Sequence, residues 1–132
     1  MGLLLKINFV NDKTYQIPLS ECYVRIENYL IRKNPSFLDL TIRYWQSKEI
    51  ADLNTRKLNT TPTPLQGVLD PYLIIDEQFV KLPNRFSIPL ISTIDGVENY
   101  DVTILENIFQ QSYDYLKIEL QNQIDNILIE DL

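Results

Sequence analysis

Residues 103–128 read TILENIFQQSYDYLKIELQNQIDNIL, and they form the one long segment of this chain that keeps a single helical period throughout. Leu105, Phe109, Tyr113, Leu116, Leu120, Ile124 and Ile127 follow one another at spacings of 4, 4, 3, 4, 4 and 3 residues. That mean matches the α-helical turn of about 3.6 residues, so the seven side chains share one stripe. Thr103 and Glu106 have the spacing of a capping box, in which each side chain satisfies the other's free backbone N–H. A helix over 104–128 would be about 38 Å long at 1.5 Å per residue. A domain of this length is close to that in diameter. The expectation is therefore that the helix leaves the domain at its C-terminal end. Residues 123–132 then form a tail that buries Ile124, Ile127 and Leu128 on a partner. Two alternatives are a helix crossing the whole sheet and a switch to a short strand at Ile127-Leu128-Ile129.

Upstream of the helix the pattern changes to alternation. Leu3, Leu5, Ile7 and Phe9 fall on one side of a strand, and a turn at Asn11-Asp12-Lys13 leads to a second strand at Thr14–Ile17. Cys22, Val24 and Ile26 oppose Tyr23, Arg25 and Glu27 in the next alternating run. From Phe37 to Trp45 the period is most regular, with Leu38, Leu40, Ile42 and Tyr44 facing the core. Phe37 and Trp45 share the opposite face with Asp39, Thr41 and Arg43, which makes both aromatics candidate interface residues. Ser47 followed by helix formers predicts a short helical turn. Residues 54–71, with Pro62, Pro64, Pro71 and Gly67, read as a long irregular loop or arm. Tyr72–Val80 and Phe86–Ile91 read as further strands, Pro89 placing the latter at an edge. Asp95-Gly96 is a turn before the helix. The fold class expected is α+β, an antiparallel sheet or small barrel of about six strands with one long C-terminal helix, in a single domain over 1–132.

Composition narrows the chemistry. The chain has 132 residues, 45% hydrophobic and 23% charged, as expected of a globular domain. No apolar run approaches the roughly 18 residues of a membrane span. The start, MGLLLKINFV, lacks the basic segment and cleavage site of a signal peptide and suits a first strand. With no histidine, the commonest general base and metal ligand are missing. A single cysteine, Cys22, forms no internal disulfide and reads as a buried thiol. Three glycines make no phosphate loop, and Asp70, Asp76 and Glu77 lack calcium-loop spacing and read as turn residues. The expectation is a non-enzyme with no catalytic residue, cofactor or metal. Charge is uneven, +2 over residues 1–94 and −8 over 95–132, for a total of −6. Such a balance disfavours nucleic acid as a direct partner. Tyr115, beside the stripe, is a further interface candidate.

The segments Tyr23–Ile26 (YVRI), Ile42–Glu49 (IRYWQSKE) and Gln110–Lys117 (QQSYDYLK), in that order after an N-terminal hairpin, resemble a group of small virion structural proteins. Tailed phages and prophages encode these near their neck, tail or baseplate genes. The resemblance implies a structural subunit that repeats in a ring or lattice. Its partners would be copies of itself and other virion structural proteins, with no membrane involved. Its place would be the virion, assembled in the host cytoplasm. A different class of function also fits the acidic helix, a small inhibitor or adaptor that binds one host protein.

Overall fold

Alternating apolar residues from Leu3 onward place one side of each early strand in a common core, and the computed structural model assembles these strands into an open antiparallel sheet of eight. It describes residues 2–33, 36–58, 67–100 and 106–132, without the side chains of 33, 55–58, 91–94 and 98–100. The elements are β1 (Leu3–Asn11), β2 (Ile17–Lys33), β3 (Ser36–Trp45), α1 (Lys48–Leu58), β4 (Val68–Leu69) and β5 (Pro71–Ile75). They continue with β6 (Gln78–Lys81), β7 (Arg85–Pro89), β8 (Ile91–Ile94), β9 (Val97–Tyr100), α2 (Ile108–Gln123) and β10 (Leu128–Asp131). The main path runs β4-β3-β2-β1-β5-β6, with β7 also on β3 and β10 also on β1. Strands β8 and β9 form a separate ribbon. Although only Asp70 separates β4 from β5, the two pair with opposite sides of the β1–β2–β3 sheet. The sheet is thus curled yet open, which corrects the barrel alternative.

The inner face of the sheet is the one the alternation marks. Leu3, Leu5, Cys22, Val24, Ile26, Leu38, Leu40, Ile42 and Tyr44 are all buried there, under Tyr113, Leu116 and Leu120 of α2. A register shift between Lys6 and Phe9 changes the phase of β1, so that Phe9 and Val10 are both buried and Ile7 is only half-buried. Two hairpin turns place both central residues at positive φ, Asp76 and Glu77 (51° and 64°) and Asp95 and Gly96 (52° and 78°). That backbone matches the twist of paired strands. The second of these turns joins β8 to β9, so a strand stands where the sequence suggested direct entry to the helix.

The C-terminal expectation is corrected. Helix α2 has 16 residues and is about 24 Å long. Ile124 is already extended (φ −122°, ψ 117°), and Asn126 takes a left-handed conformation at φ 61°. The chain reverses there, and β10 pairs with β1 from Leu3↔Asp131 to Lys6↔Leu128. The tail at 123–132 therefore belongs to its own domain, as in the strand alternative. Backbone pairing decides the matter, because β1 would otherwise expose a row of unbonded N–H and C=O groups. Lys6 Nζ on Glu130 at 2.9 Å and the Leu132 N–H donated to Gly2 O at 3.0 Å fix the same register.

Two other boundaries shift. Helix α1 runs through Leu58 and β4 resumes at Val68, so both ends of the 54–71 arm are regular structure, and 59–66 lie outside the described residues. Thr103 of the capping box lies outside them too. The cap of α2 is Asn107, which makes no side-chain cap bond. Phe109, read as part of the buried stripe, is 61% exposed and meets Tyr29 edge-on at 5.4 Å between ring centres.

Candidate interaction surfaces

Tyr23 and Trp45 are cross-strand partners on the outer face of the sheet. Sequence alone leaves that face to solvent, but α1 lies across it. Ser47 Oγ accepts the Ile50 N–H at 3.2 Å and starts the helix, which carries Ala51 and Ile50 onto the two rings. Trp45 is consequently 1% exposed within its own chain, which corrects its placement as an open interface residue. Its indole donates to Glu27 Oε1 at 3.1 Å, and the Arg43 guanidinium stands 5.8 Å from the ring centre. Arg25 donates to Tyr23 Oη at 3.2 Å and to Asp52 Oδ1 at 2.5 Å. The bond from Arg25 holds the Asp52 carboxyl below the usual carboxylate range. Gly67 closes the arrangement at φ 80°, where an added Cβ would lie 2.3 Å from Ile50 Cγ2.

The other candidates separate into two groups. Phe37 is half-buried, with the Arg32 guanidinium 5.1 Å from its ring centre, and it pairs across the sheet with Pro89. Arg32 also forms an ion pair with Asp39, whose Oδ1 accepts from Ser87 Oγ at 2.7 Å. Arg32 and then Ser87 hold the Asp39 carboxyl low. Tyr115, half-buried on α2, donates to Ser87 O at 3.3 Å, so Phe37 and Tyr115 both belong to the surroundings of β7. Ile124 and Ile127, expected on a partner, are 4% and 9% exposed and join the main core instead. Leu128 is 66% exposed on β10.

Surface apolar groups concentrate where paired strands extend past their neighbours. Ile74 and Ile75 are consecutive on β5, so they point to opposite faces, and both are exposed, as is Val80 on β6. Leu30 and Ile31 repeat the arrangement near the β2–β3 turn. These residues were missed in the sequence, although adjacent apolar pairs interrupting an alternation are a visible signal of a strand with both faces bare.

Chemistry-bearing groups are sparse. Burial pushes the Cys22 thiol up to about 12, so the nucleophilic thiolate is suppressed. Among the described residues no group of three or more His, Cys, Asp or Glu is placed to hold a metal. Asp76 and Glu77 form the β5–β6 turn, and Asp70 lies 3.4 Å from Lys81 Nζ. A cleft of about 510 Å³ opens where β5 leaves β1, lined by Phe9, Pro18, Leu19 and Ile74 with Asn8 and Ser20, none of them titratable. No described helix is long and apolar enough to cross a membrane. Comparisons with family models, curated proteins and solved structures give no match for this chain.

Proposed function

We propose that this chain is a non-enzymatic assembly subunit, packing against copies of itself and against other structural proteins of a virion assembled in the host cytoplasm. The observation that carries this reading is the pair of strand projections, Leu30-Ile31 and Ile74-Ile75, whose apolar side chains are exposed on both faces. Each Å² of apolar surface left in water costs about 25 cal/mol, so projections of this kind gain stability when a neighbour covers them. The resemblance to phage neck, tail and baseplate proteins supplies the particle. Mass photometry of the purified chain, across a range of concentrations and with the proteins of such a particle, tests the reading. Defined oligomers or co-assembly are expected. A monomer that joins neither itself nor a particle protein would overturn it.

One observation favours a second reading, a small acidic inhibitor or adaptor. Asp114, Asp125, Glu130 and Asp131 are exposed along α2 and the tail, where Lys117 is the one basic residue. In the same experiment this reading predicts a one-to-one complex with a host protein in lysate and no symmetric oligomer.

A further inference from the structure

The β2–β3 hairpin outruns the strand on its other side. β1 pairs with β2 only as far as Leu3↔Val24, whereas β3 pairs with β2 through Lys33↔Ser36. From Asn28 to Arg32 the β1-side edge of β2 has, among the described residues, no strand beside it. Leu30 and Ile31 lie within that stretch, one on each face.

A second element has the converse property. The β8–β9 ribbon hydrogen-bonds to no other described strand, and a lone two-stranded ribbon is marginal in water. Its edge carries Val97, 62% exposed. The two elements are also complementary in charge. Residues 91–100 contain Asp95 and Glu98 and no base, while residues 28–33 contain Arg32 and Lys33 and no acid. Arg85 also lies close enough to act on Asp39, the partner of Arg32, so the hairpin end stays net positive.

We propose that β9 of one copy adds as a strand to the bare Asn28–Lys33 edge of β2 in the next copy. This rests on the assembly reading and names its contact. Main-chain hydrogen bonds would hold the added strand, and Leu30 and Ile31 would each gain a cross-strand neighbour. Because donor and acceptor are different surfaces, the contact is head-to-tail, giving a ring where the rotation closes and a filament where it does not.

The test uses the full chain in two variants, Leu30→Lys with Ile31→Lys at the acceptor and Val97→Lys at the donor. All three side chains are exposed, so circular dichroism should match the parent. Leu30→Thr with Ile31→Thr replaces the acceptor variant if its melting point falls. In sedimentation velocity, each variant alone should associate at least about tenfold more weakly than the parent. An equal mixture should form a one-to-one heterodimer, because each variant retains one intact half of the contact. Variants that assemble like the parent, or a mixture that does not recover, place the contact elsewhere and leave the assembly reading standing. A parent chain that stays monomeric at every concentration overturns self-assembly and this contact together.

Discussion

The Tyr113 hydroxyl on α2 accepts the backbone N–H of Ile26 on β2 at 2.9 Å. Ile26 stands just beyond Val24, the last β2 residue paired with β1 at that end, so a side chain from the helix supplies the acceptor that the sheet lacks. The bond ties the helix layer to the sheet at the point where β2 becomes an edge.

Tyr113→Phe should therefore cost about 1–3 kcal/mol, since it leaves a buried N–H without a partner while keeping the ring. Urea unfolding of the parent and variant measures it. A loss within error would show that water replaces the hydroxyl.

Trp45→Ala should destabilise the monomer itself, by about 3–5 kcal/mol, because it empties the space between Tyr23 and α1. Thermal melts at a concentration where the chain is monomeric check this. An unchanged melting point with weakened assembly would return Trp45 to an interface.

Gly67→Ala meets two obstacles, the positive φ and the Ile50 Cγ2 atom at 2.3 Å from the new Cβ. A loss of about 1 kcal/mol or more is expected. Ile50→Ala in the same chain should recover only the steric part, so a double-mutant cycle gives a coupling that is not zero. Additive losses would count against the contact.

Deleting residues 124–132 removes Ile124 and Ile127 from the core and β10 from β1. Core isoleucines are worth about 2–5 kcal/mol each on truncation, so the deletion should abolish cooperative unfolding of a marginally stable domain. A truncated chain that still unfolds cooperatively near the parent midpoint would make the tail dispensable.

Stability should fall in alkali. Burial raises the Cys22 thiol to about 12 and the Tyr29 phenol to about 12, and it raises Tyr44 and Tyr113 as well. The unfolded chain ionises these groups from their ordinary values of 9.0 and 10.0, so above pH 9 it binds fewer protons than the folded chain. The stabilisation is complete below the ordinary values and is lost as pH rises from about 9 through 12. Urea midpoints from pH 8 to 11 should decline, and Cys22→Ala should flatten the early part of the decline. A flat profile in the parent would remove these groups from the account.

Much of the layer structure was legible in the sequence. Alternation at Cys22–Ile26 and Leu38–Tyr44 identified core residues, the helical period identified Tyr113, Leu116 and Leu120, and Ser47 marked the start of α1. Both faces of β3 were separated correctly as well, yet Trp45 on the outer one is buried. Periodicity states which side chains share a face; it does not state what covers that face. The cover of Trp45 depends on how far α1 continues past Leu53, and the end of α2 depends on an unpaired edge of β1 more than a hundred residues away. The Ile124 and Ile127 side chains fit a helical stripe and a returning strand equally well. Only the folded sheet decides between them, because satisfying the backbone groups of Leu3–Lys6 outweighs another turn of helix.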